Sequence, residues 1–351
     1  MDFAFSEEQE LLRAAARDYL RDRWPVDRVV RVADGAPSHD PATWRELADM
    51  GWLDPSLGLL DHAVLAEETA GMLLPAPWFS TVALAGPLLD DELREAVSAG
   101  ERSATLAWAE PSSWTLRGQR STVTAADGRL TGTKLPVPDL ASVTDVVVVA
   151  ADGLYAIDLV AHPDVVHPLS TMDRTRRLAE LRLDGTPARR LDVGPEALVD
   201  VRRRSLALAA CEAVGVSQRA LDLAAEHTKT RQQFGRVIGT YQGVSHRVAN
   251  IFVTVQLGRS LAYWAAWAVS EADAQQDAAV AAAKSAASEG AVFACENAIQ
   301  AHGGIGFTWE HVLHRFYKRA QWLEAFEGYG RTHRAEVAAA ILDGDDTEVA
   351  A

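Results

Sequence analysis

Three runs, Ala197–Thr230, Gln242–Ala272 and Ala274–His302, are dominated by Ala, Leu, Val and Arg. Runs of that length and composition fold as long helices, and long antiparallel helices bury their apolar faces by packing as a bundle. Whatever precedes them must be a separate kind of structure, because the hydrophobic period changes upstream of Gly194-Pro195. From about Ser103 it is that of strands: Thr105-Leu106-Ala107-Trp108-Ala109, Ser121-Thr122-Val123-Thr124, a turn at Asp127-Gly128, then Arg129-Leu130-Thr131-Gly132. Val146–Ala150, Gly153–Leu159 and Leu178–Leu183 continue the series. Short strands with no helices between them indicate an antiparallel barrel or sandwich.

The first hundred residues are helical again. Ser6 offers an N-cap with Gln9 three residues on, and Leu11, Leu12, Ala15, Ala16, Tyr19 and Leu20 recur at helical spacing, which predicts a helix over Ser6–Arg23. Asp40-Pro41 starts another through Trp44, Leu47 and Met50, ended by Gly51. Ala63–Leu74 reads as a third, and Pro87–Val97, with proline in its first turn and Gly100 past its end, as a fourth. The expected organisation is therefore a helical domain over 1–100, a β domain over 101–193 and a helical bundle over 194–351, closed by an acidic tail at Asp343, Asp345, Asp346 and Glu348.

With 351 residues, 48% hydrophobic and 24% charged, the chain can bury a sizeable core. A formal charge of -15 repels phosphate backbones and anionic lipid, which argues against nucleic acid or a membrane surface as partner. No uncharged run approaches the roughly 20 residues of a membrane helix. Cys211 and Cys295 sit in alanine-rich helical runs without metal or disulfide spacing, and Asp2, Glu7 and Glu8 stand where a leader would be basic, so a cytoplasmic protein is expected. His302, His311 and His314 cluster near a turn but lack cysteine or carboxylate at ligand spacing, so no metal is expected. Leu261, Tyr263, Trp264 and Trp267 on one long helix read as core or subunit interface rather than cofactor stacking.

Arg231 and Arg236 flank Phe234-Gly235 at a helix end, with Gly239 and Gln242 soon after. Two guanidinium groups beside a glycine suit a diphosphate, gripped bidentately while the backbone comes close. A surface arginine cluster with a glycine C-cap explains the same residues without a ligand.

Arg231-Gln232-Gln233-Phe234-Gly235, Gln300-Ala301-His302-Gly303-Gly304-Ile305-Gly306 and Glu324-Ala325-Phe326-Glu327-Gly328 follow one another in the order and spacing of a known family. Together with the opening Met1–Gln9, they make almost the whole chain resemble the FAD-dependent acyl-CoA dehydrogenases, in particular short actinobacterial-type members. The resemblance implies a mainly helical fold with a β middle domain: helical N-domain, antiparallel β-barrel or sandwich, and C-terminal four-helix bundle. It implies FAD as cofactor and an acyl-CoA as substrate. In it, Arg231 and Phe234 reach the FAD pyrophosphate of a neighbouring subunit, Gln242 matches the following family glutamine, and Gln300 with Gly303 and Gly304 contacts the ADP part of that FAD. Oligomers follow, either of one chain or with a second acyl-CoA dehydrogenase chain, and an electron-transferring flavoprotein as reoxidant.

The family chemistry removes a proton α to a thioester with a carboxylate in a dry site while a hydride leaves the β carbon. The family's aromatic-Glu-Gly segment puts that base on Glu327, with Glu324 one turn earlier as the alternative if the register slips and a solvated acidic helix end as the bland reading of both. Relatives that carry the base on the first long C-terminal helix would place it near Ser205, where serine cannot serve; Glu212 on that helix is a reserve. Departures are concentrated elsewhere. Ala107-Trp108-Ala109-Glu110-Pro111 resembles the strand end along the flavin, but Ser112-Ser113-Trp114 replaces the usual glycine-serine-aspartate. Gly132-Thr133-Lys134 runs into Leu135-Pro136-Val137-Pro138 instead of tryptophan-isoleucine-threonine, and proline has no N–H to donate. Tyr329-Gly330 follows Gly328 where a small hydroxyl residue is usual, and Gly51–Gly58 lacks a glycine-rich loop, a shorter wall that suits bulky steroid-side-chain or polyketide-type thioesters. Arg202-Arg203-Arg204 is placed near the family's CoA site, or is a solvated basic run. The expected function is α,β-dehydrogenation of an acyl-CoA; the alternatives are a half-site or non-catalytic subunit of a heteromeric dehydrogenase, and an acyl-thioester oxidase or carrier-protein-linked dehydrogenase.

Overall fold

A computed structural model describes residues 5–35, 41–54, 57–118 and 120–344. Met1–Ala4, Asp40, Pro55-Ser56 and the tail residues Asp345, Asp346 and Glu348 lie outside the described residues, so the Asp40 cap and the end of the acidic tail are not addressed. By internal contacts the chain forms two compact units, one of residues 1–30, 59–74 and 206–351, the other of 31–58 and 75–205.

The first unit is helical. Its opening helix α1 (Glu7–Arg23) carries the full capping box, with Gln9 N–H donating to Ser6 Oγ at 3.2 Å and Ser6 N–H to Gln9 Oε1 at 3.1 Å. Alongside lies α4 (Leu59–Gly71), longer at its start than the Ala63 expectation. The short α2 (Val26–Ala33) and α3 (Pro41–Asp49) come between them in the chain. The bundle consists of α6 (Ala197–Thr230), α7 (Gln242–Ser270), α8 (Gln276–His302), α9 (Leu313–Ala325) and α10 (Gly330–Gly344), whose three long members keep the expected bounds to within two residues.

A buried polar network ties α1, α4 and α7. Arg259 donates two guanidinium bonds to Glu67 Oε1 at 2.8 and 3.1 Å, Tyr263 donates to Glu67 Oε2 at 2.8 Å, and Arg13 donates to the Tyr263 hydroxyl at 3.1 Å. Burial and the Glu67 carboxylate push the Tyr263 phenol well up, which keeps it a donor. Tyr263 is therefore core, with Phe5 edge-on at 4.7 Å between ring centres. Alanine and glycine let the helices close in: a side chain at Gly215 of α6 would fall 1.9 Å from the Glu67 carbonyl of α4.

The second unit holds two four-stranded sheets. Strands β1 (Ala104–Ala107), β4 (Asp145–Ala150), β5 (Gly153–Asp158) and β8 (Arg189–Arg190) form one sheet in the order β1-β4-β5-β8. The other comprises β2 (Thr124–Ala126), β3 (Arg129–Pro138), β7 (Leu178–Pro187) and β6 (Val166–Pro168) in the order β2-β3-β7-β6. Val146, Val148 and Ile157 of the first sheet share one core with Leu130, Val137 and Leu181 of the second, so the arrangement is a sandwich, and the described strands close no barrel.

One pairing departs from the antiparallel expectation: β1 lies parallel to β4, register Thr105 with Val146, because the intervening chain crosses to the other sheet and back. The β2–β3 hairpin turns through Asp127 and Gly128, both at positive φ as a two-residue turn requires. Pro136 interrupts the ladder, so β3 slips register against β7 between Lys134 and Val137.

The helix expected at Pro87 begins later. Gly86–Leu88 is a single 3₁₀ turn, and α5 (Asp91–Ser98) starts only where the Asp90 carboxylate accepts the Leu93 N–H at 3.1 Å. Just before it, Ser80–Ala85 forms a wholly buried π-helix that no periodicity announced. Among the described residues no helix is long and apolar enough to cross a membrane.

Candidate functional site

The segment after α6 is not a glycine-capped helix end. Gln232–Gln233 (β9) and Arg236–Val237 (β10) pair as a two-stranded hairpin whose turn residues, Phe234 and Gly235, have φ of 54° and 80°. Glycine tolerates this conformation; phenylalanine bears it at a cost of order 1–3 kcal/mol, a kind of strain that concentrates at functional positions. The turn is braced from below, since the Tyr241 hydroxyl donates to the carbonyls of Gln233 and Phe234 at 3.2 and 3.3 Å and the Arg236 guanidinium lies 3.9 Å over the Tyr241 ring. Phe234 itself is 92% exposed, and Arg231 and Gln242, the latter the first residue of α7, are exposed with it. The hairpin thus holds an aromatic ring out from the surface, next to the exposed Arg231.

Gln300, Gly303 and Gly304 are exposed at the end of α8. Gly303 has φ 65° and donates its N–H to the Gln300 carbonyl, which ends the helix. Side chains added at Gly235, Gly303 or Gly304 would meet no atom within 4 Å, so the chain leaves these backbone stretches open to an outside group.

Two of the motifs meet through imidazoles. His227, whose carbonyl accepts the Arg231 N–H, stacks on His302 at 4.3 Å between ring centres, and His311 lies 4.5 Å from His302 on another side. Arg231 and the Gly303-Gly304 end therefore share one support. Burial, and then the neighbouring His302, lower the pKa of both His227 and His311. A folded state that keeps these rings neutral binds fewer protons than the unfolded chain, so its contribution is whole above about pH 6.5 and is lost as pH falls below that value. We expect the melting temperature to drop between pH 7.5 and 5.5, and a His227→Gln variant to drop less. Among the described residues no group of histidine, cysteine and carboxylate is arranged for a metal ion.

Glu327 occupies the elbow between α9 and α10 in a left-handed conformation, φ 56°, and is 3% exposed; Gly328 follows at φ 107°. Glu324 is half-exposed on α9, so the two carboxyl groups differ in environment and the bland reading of a solvated acidic helix end does not describe Glu327. From α8, the Lys284 ammonium donates to the carbonyls of Glu324 and Gly328, each at 3.3 Å. The His333 Nε2 faces the Gly328 carbonyl at 3.2 Å, a contact that needs the proton on that nitrogen. Sequence reasoning missed both; a lysine within an alanine run was the available signal. Ser205 and Glu212 are buried on α6.

In the second unit, Lys134 is fully buried and donates to Glu110 Oε1 at 2.6 Å, Ser121 Oγ at 2.9 Å and the Trp108 carbonyl at 3.2 Å. Glu110 also accepts from Ser121 Oγ and from the N–H and hydroxyl of Thr122. Burial works against the Glu110 charge, but Lys134 and these donors outweigh it and hold the carboxyl at about 2. Beyond this anchor, the Pro138 carbonyl accepts from Thr105 Oγ1 at 2.7 Å, and Asp139 Oδ2 accepts from Ser80 of the π-helix at 2.6 Å. The arginine run lies in the second turn of α6: Arg204 turns inward to the Val82 carbonyl, and burial lowers its guanidinium to about 10.

Residues 203–342 match the family model of the acyl-CoA dehydrogenase C-terminal domain. The chain is 30% identical over 328 residues to the acyl-CoA dehydrogenase IpdE2 of Mycobacterium tuberculosis, across 90% of this chain and 91% of that protein. A variant of the Tcur3481-Tcur3483 steroid ACAD superposes with a TM-score of 0.84 at 27% identity, over 97% of this chain and 99% of that one. The ChsE4-ChsE5 complex from Mycobacterium tuberculosis has the same fold, with a TM-score of 0.86 at 24% identity and coverage of 97% and 99%. The chain belongs to the acyl-CoA dehydrogenase family. It is of the class of FAD-dependent oxidoreductases that act on acyl-CoA thioesters.

An exposed guanidinium, an outward aromatic ring and open glycine backbone have the chemistry that a dinucleotide diphosphate needs. Pro136 and Pro138, which stand where the family resemblance expects tryptophan-isoleucine-threonine, offer neither N–H nor hydroxyl.

Proposed function

We propose that the protein catalyses α,β-dehydrogenation of a bulky acyl-CoA with Glu327 as the base. The observation that carries this is the burial of Glu327 in a glycine-backed left-handed turn at the position of the family's aromatic-Glu-Gly segment. The Glu327 carboxylate takes the α-proton; the electrons of that C–H bond become the new double bond as the β-hydrogen departs with its own pair. FAD, when bound, supplies the hydride acceptor, and an electron-transferring flavoprotein then takes the two electrons.

Arg231, Phe234, Gln242, Gln300, Gly303 and Gly304 would hold the ADP part of FAD. They are supported as a set belonging to another subunit's site, because Lys284, beside the Glu327 turn, and Gln300 are 16 positions apart on one helix, roughly 24 Å at 1.5 Å per residue. A base and a diphosphate grip so separated on one rigid element suit a site completed between copies or between two different chains. A steroid-like acyl group is favoured by the likeness to the Tcur3481-Tcur3483 steroid ACAD. The two cysteines, buried and unbridged, accord with a cytoplasmic setting.

A second reading is that the chain is the half of a heteromeric dehydrogenase that completes a partner's FAD site. Pro136 and Pro138 favour it, since they leave the flavin ring fewer partners than the family usually provides. The deciding experiment is the visible spectrum of the chain purified alone and with a second dehydrogenase chain, before and after anaerobic addition of butyryl-CoA or a steroid-CoA with a short side chain. Flavin bands in the lone chain that bleach with the steroid-CoA support the first reading. A colourless chain that restores bleaching only in company supports the second, and no bleaching in either preparation removes the dehydrogenase assignment.

A further inference from the structure

We infer that Lys284 is a positioning residue for the dehydrogenation, acting through the turn that carries Glu327; this rests on the reading of Glu327 as base. The argument begins with burial. Lys284 is 0% exposed on α8 among Val280, Ala281, Ala283, Ala287 and Ser288, a stretch where alanine or leucine would satisfy the helix and the packing. Taking an ammonium out of water is expensive unless its protons find acceptors. Here they find the carbonyls of Glu324 and Gly328, both at 3.3 Å, which bracket Glu327 on either side along the chain.

The Glu324 carbonyl lies in the last turn of α9, and the Gly328 carbonyl in backbone that has left its regular structure. α9 ends at Ala325, Phe326 lies outside it, and Glu327 and Gly328 take positive φ before α10 begins at Gly330. A non-glycine residue at φ 56° persists only where the surroundings hold it. Lys284 supplies that hold from a separate, rigid element, and His333 adds a contact to the same Gly328 carbonyl from α10. The charge-assisted donations are made to backbone, so they fix where the Glu327 side chain starts. Arg315, Arg319 and His333 are also buried in this part of the bundle. General-base catalysis is sensitive to such placement, since a misplacement of about 1 Å can cost about a hundredfold.

The test compares Lys284→Met, which keeps length and apolar stem, Lys284→Gln, which keeps a shorter donor, and Glu327→Gln in the full holoenzyme with whatever partner chain it requires. Rates are measured with the steroid-CoA or butyryl-CoA probe, with and without deuterium at the α carbon. The expected result for Lys284→Met is a kcat lowered about 10- to 100-fold. Its KM and FAD content stay within about twofold, and its α-deuterium isotope effect is larger than that of wild type because proton abstraction has become the slower step. Lys284→Gln should fall between the two. A Lys284→Met enzyme that turns over like wild type while Glu327→Gln is inactive overturns the proposal and leaves the base assignment standing. An active Glu327→Gln enzyme overturns both. Loss of folded protein in both lysine variants also overturns it, because the ammonium would then be holding the bundle instead of the turn.

Discussion

Replacing Glu327 by glutamine is expected to lower turnover by about 10²- to 10⁴-fold while FAD stays bound, the range that a positioned general base contributes. The substitution is nearly isosteric, so the buried elbow keeps its shape. Glutamine faces the same positive φ that glutamate bears, and the Lys284 and His333 donations go to backbone atoms that it leaves in place. What is lost is the carboxylate's ability to accept the α-proton. The KM should change little, and the flavin spectrum should survive, which separates a chemical defect from a folding one. Glu324→Gln is the natural control: its side chain is half-exposed, and turnover near wild type is expected. If instead Glu327→Gln turns over normally and Glu324→Gln does not, the register of the elbow has been misread and the base lies one turn earlier. If both retain activity, the buried Glu212 of α6 becomes the next carboxylate to change.

Much of this arrangement could be read from residues because it is set by local rules. The Ser6–Gln9 capping box, the 34-residue α6 and the ends of α7 and α8 depend on caps and on sustained helix-forming composition, and they fall within two residues of the expected positions. The turn at Asp127-Gly128 is likewise local. What was not legible depends on long-range partners. The parallel β1–β4 pairing is decided by where the chain goes between them, and the π-helix at Ser80–Ala85 by packing, with Thr81 donating to the Ala104 carbonyl at 2.9 Å. At Pro87 the proline rule competed with a stronger cap three residues on, and the aspartate cap won. The hairpin at Phe234-Gly235 shows the same limit at the site. The ligand-free reading makes its glycine a helix C-cap, whereas pairing of Gln233 with Arg236 makes it the second residue of a tight turn. The difference has a chemical consequence: a cap would have tucked Phe234 beside the helix, and the hairpin instead holds it outward. Lys284 is the clearest case: a lysine in an alanine-rich run stands out, but its partners, 40 and 44 residues on, are not written in that run.

Lys134→Met should destabilise the protein by about 3–5 kcal/mol, the usual cost of removing one partner from a buried ion pair and leaving the other charge uncompensated. The Glu110 carboxylate would keep its Ser121 and Thr122 donors but lose the ammonium 2.6 Å away, in a site where both side chains are almost wholly out of water. Glu110→Gln combined with Lys134→Met should recover most of the loss, because no charge then remains buried. The acid response gives an independent check. Glu110 is held at about 2 against an ordinary 4.5, so its contribution is complete above pH 4.5 and disappears as the pH falls towards 2. Lys134 acts in the opposite sense: burial lowers its pKa, so the cost of holding the ammonium is present at neutral pH and is relieved only in alkali. The intact pair therefore adds less to stability than the single substitution removes. Denaturant unfolding at pH 7, 4.5 and 3 should show wild type losing stability over the last interval more steeply than the double variant. Equal slopes would mean that Glu110 carries no charge in the folded protein. The pair also fixes the stretch that leads into Pro136 and Pro138, so a Lys134→Met protein that folds yet binds FAD more weakly would locate the flavin's ring beside β3.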